Sequence, residues 1–383
     1  MRAVVLAAGE GRRLKPLTNV RPKPMIPVAN RPILEHVVDA LVEAGVDDIA
    51  FVVGYKRDRI QTHFGDGDDW GASIEYVVQD KQLGTGHAVL QAEPVVDGDF
   101  VVLNGDRIVA SSLVERLIDQ DGDAMAVTRS DEPSEYGVVG LDGDRVESVV
   151  EKPPRYATEG DVVNAGVYRF GPGVFDEIRS TEPDDDGEVA ITSTLSRMVE
   201  DGVAAVWSDD EMPEDVSYLW NLLSVNSALL DEENGGAEGR VHDSAVVADA
   251  AALGRDATIA AGATVRAGCA IGDNASVGSN CVIANAVVMA DATIGDGAVV
   301  RDCVVAENAD VGPGTTVEGG DADVVVDGRV YEDVRLGAVV GDNADVGGGA
   351  NLAPGTVLGD GSTVATGATV TGNVPPDTRI RRG

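Results

Sequence analysis

The chain has 383 residues, with 66 Asp and Glu against 29 Lys and Arg and a formal charge of −37, which excludes a nucleic-acid or anionic-membrane binder working through bulk positive charge. Hydrophobic residues make up 43%, so the acidity belongs to the surface of a folded protein rather than to a disordered acidic chain, and the length allows two or three domains. Any phosphate must be held by local groups.

The opening run Ala3-Val4-Val5-Leu6-Ala7-Ala8 reads as a first strand, being too short for the apolar core of a signal peptide. No apolar run reaches the roughly 18 residues of a membrane span. Cys269, Cys281 and Cys303 are an odd number of cysteines, which argues against a disulfide framework and for a reducing cytoplasm. Up to about residue 230, apolar strands near 3–7, 49–53, 74–78, 100–103 and 124–128 alternate with helical stretches such as 32–44 and 111–120. That alternation predicts an α/β domain with a doubly wound, Rossmann-like, mostly parallel sheet, whose ligands gather at the carboxyl ends of its strands.

A glycine-bearing, aperiodic stretch, residues 231–240, reads as a linker. Beyond it, in 241–383, the period becomes six: Val241, Val247, Leu253, Ile259, Val265, Ile271, Val277 and Ile283, usually with a small residue four positions later. The phase slips by one at Val288 and again at Val305, and resumes from Val340 through Val370. These hexapeptide repeats resemble the left-handed parallel β-helix family, in which three units close one coil of a triangular prism. Cys269 and Cys281 fall on small inward positions and read as packing residues. The stretch between Val317 and Val340 breaks the period and is expected to protrude as a loop.

The turn after the first strand reads Leu6-Ala-Ala8-Gly9-Glu-Gly11-Arg-Arg13-Leu14-Lys-Pro-Leu-Thr18, followed by Arg21-Pro-Lys23-Pro-Met-Ile-Pro-Val28. Glycines after a strand let backbone N–H groups approach phosphate oxygens, and nearby cations neutralise charge on a leaving pyrophosphate. Leu14 stands where a dinucleotide fingerprint would have its third glycine. Lysine occurs only at 15, 23, 56, 81 and 152, so a lysine placed between two prolines reads as a phosphate ligand. The run resembles the signature of the sugar-1-phosphate nucleotidyltransferases, of the glucose-1-phosphate thymidylyltransferase and N-acetylglucosamine-1-phosphate uridyltransferase type.

That resemblance implies a set of site residues. Leu6, Ala8, Gly9 and Gly11 would line the nucleotide, with Arg13 and Lys23 catalytic. Gln79-Asp-Lys-Gln-Leu-Gly84-Thr85-Gly-His87 resembles the base-binding segment, with Gln79 as reader of a pyrimidine edge and Gly84 and Thr85 alongside. Leu103-Asn-Gly-Asp106 ends a strand, and Asp106 is the implied Mg²⁺ ligand. Asp215, in Asp-Val-Ser-Tyr-Leu-Trp220, is the second, with Asn226 as competitor. Gly137, Glu151, Lys152 and Asn164 would bind the sugar phosphate. The implied reaction joins UTP or dTTP to glucose 1-phosphate or N-acetylglucosamine 1-phosphate.

Two other activities stay open. Relatives with this β-helix acetylate amino-sugar phosphates using a loop histidine, but residues 318–335 contain none; others keep the fold as non-catalytic scaffolds. The resemblance also implies a homotrimer through the β-helix, with small-molecule substrates and neither nucleic acid nor membrane as partner. The Asp-rich, Lys-poor composition resembles that of proteins from salt-loving archaea.

Overall fold

Strand β1 (Arg2–Ala7) alternates its side chains between two apolar layers and is buried along most of its length. In this computed structural model, which describes residues 1–157, 160–184, 186–208, 215–233, 236 and 238–382, it lies inside a nine-stranded sheet. Beside it run β2 (Asp48–Val53), β3 (Ser73–Val78) and β4 (Phe100–Asn104), all parallel. The sheet continues through β5 (Ala124–Arg129), β6 (Gly137–Asp142), β7 (Arg145–Glu151), β8 (Val162–Phe170) and β9 (Ala204–Trp207), in the order β3-β2-β1-β4-β8-β5-β9-β7-β6.

The expectation of a mostly parallel sheet is corrected by this second half. β8 runs antiparallel to both β4 and β5, and β6 and β7 form an antiparallel hairpin. Helix–strand alternation specifies the parallel crossovers of the first half; a strand inserted from the far end of the sheet leaves no such periodic mark.

Helices α1 (Ile33–Glu43), α2 (Arg57–Phe64) and α4 (Ser111–Ile118) cover one face through Leu34, Val37, Phe64, Leu113 and Leu117. Helices α3 (Thr85–Gln91), α5 (Val174–Ser180) and α6 (Ile191–Met198) cover the other through Val89, Phe175 and Leu195.

The chain divides into two compact units. The first comprises Met1–Glu10, Pro22–Met25 and Ile33–Asp215, and the second Gly11–Arg21, Ile26–Pro32 and Val216–Gly383.

In the second unit the hexapeptides form parallel strands on three faces of a β-helix. Ile259 pairs with Val277 and Val277 with Ile294 on one face, Val265 with Ile283 and Ile283 with Val300 on the next, and Ile271 with Val288 and Val288 with Val305 on the third. The aliphatic residues from Leu253 to Val370 stack into one core, while Val241 at the first coil is 41% exposed. The two phase slips fall inside seven-residue strands, Val282–Val288 and Val299–Val305. There Asn285 and Asp302 both take φ of +47°, so one left-handed residue turns the corner that two residues turn elsewhere. Asn and Asp tolerate that conformation better than other side chains.

The three cysteines are buried in this core, and burial pushes the Cys303 thiol up to about 12. The stretch after Val317 is not an irregular loop: Asp321–Val326 and Arg329–Arg335 pair as an antiparallel hairpin. Its signal was the Asp327-Gly328 pair, a two-residue hairpin turn set between the apolar runs Val324-Val-Val326 and Val330-Tyr331. Helix α7 (Asn221–Glu233) brings Leu230 against Ala252 and Ala270. Among the described residues, no helix is long and apolar enough to cross a membrane.

Candidate active site

Leu6 and Asn104 are paired at the ends of β1 and β4, and the Gly105 N–H donates to the Leu6 carbonyl at 2.9 Å. A Cβ on Gly105 would stand 3.0 Å from that oxygen, so the close turn needs glycine, and it delivers Asp106 at the strand end. Lys23 Nζ lies 2.5 Å from Asp106 Oδ2 and 3.1 Å from Asp215 Oδ1. Two carboxylates therefore share one ammonium. Burial alone would lower the Lys23 pKa, but Asp106 and Asp215 outweigh it and hold it above its ordinary value. The lysine is a cation throughout the physiological range.

The same arrangement tests whether Mg²⁺ fits. The two carboxylates already converge on one positive centre, and both offer hard oxygen donors. Among the described residues no cluster of three or more His, Cys, Asp or Glu could hold a metal. A pair of carboxylates that leaves most positions to water and substrate phosphate suits Mg²⁺ better than an all-protein cage would.

Arg107, which the sequence reading passed over, belongs to this centre. It is 6% exposed, bridges to Asp215 through the backbone, and places Nη2 at 3.7 Å from Asp215 Oδ2. Its guanidinium also reaches the Asn164 carbonyl at 3.4 Å and sits 5.9 Å from the Tyr136 ring centroid. The available signal was its position directly after Asp106.

Of the four residues expected on the sugar phosphate, Gly137, Glu151 and Asn164 lie on β6, β7 and β8, and Lys152 directly follows β7. Gly137 pairs with Glu151, and a Cβ on it would meet Glu151 Oε2 at 3.2 Å and Asn164 Cβ at 3.6 Å. Asn164 Oδ1 accepts from the Gly166 N–H at 2.9 Å, and its Nδ2 donates to the Tyr168 hydroxyl at 2.6 Å. Burial pushes the Tyr168 phenol up to about 12, so it stays neutral. Lys152 takes φ of +41° and leaves its ammonium half exposed, 3.8 Å from Glu151.

Gln79 is buried, and its Nε2 donates to the Gly84 carbonyl at 3.3 Å and meets His87 Nδ1 at 2.9 Å. Gly84 has φ of +92°, and a Cβ there would come within 2.5 Å of the Val189 carbonyl. The Thr85 hydroxyl accepts from the Ile191 N–H at 3.0 Å. Gln82, unremarked in the sequence, donates to the Ala8 carbonyl at 2.7 Å, beside Gly9. A Cβ on Gly9 would meet nothing within 4 Å.

Gly11 and Arg13 lie in the second unit. Gly11 has φ of +64°, and its carbonyl accepts from the Leu14 N–H at 3.0 Å and the Thr18 hydroxyl at 2.9 Å. Arg13 Nη1 is 3.4 Å from the Tyr218 hydroxyl. Arg21, only 1% exposed, pairs with Asp342 and, at 3.2 Å, with Glu307. Asn226 is fully buried and spends its amide on the Ala29 N–H at 2.9 Å and the Gly268 carbonyl at 3.0 Å.

A nucleotidyl transferase family profile matches residues 2–232. The chain belongs to the nucleotidyl transferase family. A second profile, described as the GMPPB C-terminal domain, matches residues 239–380. The bifunctional protein GlmU of Methanococcus maripaludis is 35% identical over 254 residues, a match spanning 64% of this chain and 59% of that protein. The low-salt glycan biosynthesis nucleotidyltransferase Agl11 of Haloferax volcanii is 36% identical, with 64% and 71% covered. The glucose-1-phosphate thymidylyltransferase of Streptomyces antibioticus is 32% identical over the same shares of the two chains, 64% and 71%. A solved Bacillus anthracis chain assigned as a glucose-1-phosphate thymidylyltransferase superposes with a TM-score of 0.54 at 27% identity, covering 60% of this chain and 94% of that one. Within the nucleotidyl transferase family, these relatives put the chain in the sugar-1-phosphate type.

Proposed function

We propose that the chain transfers a nucleotidyl group from UTP or dTTP to glucose 1-phosphate or N-acetylglucosamine 1-phosphate in the cytoplasm, releasing pyrophosphate. The observation that carries this reading is the pair of carboxylates, Asp106 and Asp215, converging on Lys23. Mg²⁺ bound by Asp106 and Asp215 would supply positive charge to the triphosphate. Asn226 is a poor alternative ligand, because both ends of its amide are already engaged.

A phosphate oxygen of the sugar 1-phosphate attacks the α-phosphorus in line, and pyrophosphate leaves. Lys23 and Arg13 neutralise charge on the leaving group, while Lys152 and Arg107 hold the attacking phosphate. Glu151, Asn164 and the Gly137 backbone address sugar hydroxyls. Gln79, with Gly84 and Thr85 beside it, offers its amide to the pyrimidine edge, and Leu6, Ala8, Gly9 and Gly11 line the nucleotide. No covalent intermediate is needed, since positioning and electrostatics suffice for this class of transfer.

Incubating the full chain with Mg²⁺, each of the four nucleoside triphosphates and a panel of sugar 1-phosphates tests the reading. Pyrophosphate is expected with UTP or dTTP and one of the two named sugars; none with any pair would favour a scaffold. Acetyl-CoA consumption with glucosamine 1-phosphate, measured beside it, would establish the acetyl transfer that a hairpin without histidine does not support.

The same reading takes 1–230 as the transferase domain, 231–240 as its linker and 241–383 as a left-handed β-helix that assembles the chain as a homotrimer. Flat repeated faces are consumed by closed threefold packing without leaving an open contact. Light scattering on the full chain in high salt should give the mass of three protomers; a monomer would sink the assembly.

A further inference from the structure

The hairpin at 321–335 interrupts the β-helix and contributes no residue to its apolar core, although Val324 is itself buried at 3% exposure. Its base is nevertheless fixed by one buried carboxylate. Asp302 Oδ2 accepts from the Gly320 N–H at 2.8 Å, and Asp302 Oδ1 accepts from Arg335 Nε at 2.9 Å and Asn285 Nδ2 at 2.6 Å. Burial alone would raise the Asp302 pKa, and these donors overcome it, holding the carboxyl below its ordinary value.

From that base the hairpin extends to the signature loop of the same unit. Tyr331 donates to or accepts from the Tyr218 hydroxyl at 2.6 Å, with ring centroids 4.8 Å apart. Tyr218 stacks on Trp220 at 4.6 Å with an interplanar angle of 2°. Arg13 reaches the same Tyr218, its Cζ 5.5 Å from the ring centroid and its Nη1 3.4 Å from the hydroxyl. At the hairpin tip Asp327 Oδ2 lies 3.8 Å from Arg13 Nε. Aromatic residues form only 4% of the chain, yet three of them cluster here, with Arg13 against Tyr218 and Arg329 over Tyr331 at 4.8 Å.

We propose that this hairpin positions Arg13 for the nucleotide: Tyr331, acting through Tyr218, holds the guanidinium in place, and Asp327 is the anion that the triphosphate displaces from it. The inference rests on reading Arg13 as a triphosphate ligand. A long arginine side chain gives up rotamer freedom when it binds, and a guanidinium already stacked and hydrogen-bonded gives up less on meeting its ligand. The Asp327 pair is too exposed to contribute appreciably to folding. Its charge acts instead as a competitor for the same cation. Tyr331, Tyr218 and Asp327 are thus positioning residues, and the interrupted hexapeptide acts on nucleotidyl transfer rather than on a second chemistry.

The test is the KM for nucleotide and the kcat of full-length Tyr331→Ala, Tyr331→Phe and Asp327→Asn, with pyrophosphate binding followed by calorimetry. Tyr331→Ala should raise KM and weaken pyrophosphate roughly three- to tenfold, the scale of immobilising one flexible side chain, with kcat within about twofold. Tyr331→Phe keeps the ring and should recover about half of that effect on a logarithmic scale. Asp327→Asn should move KM the other way, downward, and weaken its dependence on salt. Unchanged KM and pyrophosphate affinity in both Tyr331→Ala and Asp327→Asn would overturn the proposal. Should the wild type turn over no substrate pair, the functional reading fails, and the pyrophosphate titrations still decide whether the hairpin governs Arg13. Should Tyr331→Ala unfold, Tyr331→Phe and Asp327→Asn carry the same comparison.

Discussion

Replacing Asp342 with alanine is expected to destabilise the full chain by about 3–5 kcal/mol, the cost of leaving one member of a buried ion pair without the other. Arg21 is 1% exposed and Asp342 equally inaccessible at 2%, so the guanidinium would face no water to replace the lost carboxylate. Glu307 is its remaining anion, at 3.2 Å and on the rim. The site extends one coil further: Asp360 Oδ1 accepts from the Asp342 N–H at 3.0 Å, and Asp360 Oδ2 accepts from Asn19 Nδ2 at 2.8 Å. The Gly11–Arg21 loop is thereby tied to three successive turns of the β-helix, through Glu307, Asp342 and Asp360.

Burial pushes the Asp342 carboxyl up, although Arg21 counteracts it, so the intact pair is itself costly to desolvate. The double variant Arg21→Met with Asp342→Leu should therefore recover most of the lost stability. Urea unfolding of the two variants beside the wild type measures both quantities. A loss below about 1 kcal/mol for Asp342→Ala would show that the pair is exposed or dispensable in solution.

The other large effect is expected at Lys23. Lys23→Ala should lower turnover by about 10²–10³, the usual consequence of deleting one pre-organised charge from a transferase site. It should also change metal binding in the opposite sense. With the ammonium gone, Asp106 and Asp215 lose the cation held between them, Arg107 stays 3.7 Å from Asp215 alone, and a divalent cation would replace the lost charge. Mg²⁺ without nucleotide should then raise the unfolding temperature of Lys23→Ala more than that of the wild type. Asp106→Asn should abolish that Mg²⁺ response and depress turnover comparably. Near-normal pyrophosphate release by Asp106→Asn would rule out its metal role, and a Lys23→Ala protein with normal turnover and no added Mg²⁺ response would make the lysine structural.

What could be read without coordinates was whatever has a period or a motif. The spacing of Leu253, Ile259 and Val265 set a six-residue repeat whose aliphatic members do stack inside the β-helix, because local turn geometry alone fixes which side chain points inward. The strand ends at Leu6 and Leu103 located Asp106 for the same reason: alternating apolar runs mark strands, and parallel strands place their carboxyl ends at one edge. Nothing periodic announced β8 running antiparallel between β4 and β5, nor the partner of Arg21, 321 residues further on. Arg107 and Tyr331 are ordinary residues in sequence; burial beside Asp215 and contact with Tyr218 make them functional candidates. Tertiary structure alone decided that the Gly11–Arg21 segment packs with the β-helix rather than counting with its neighbours in sequence. A buried arginine goes where a buried carboxylate can meet it, and that pairing is set by the folded interior, at a distance along the chain that no local pattern encodes.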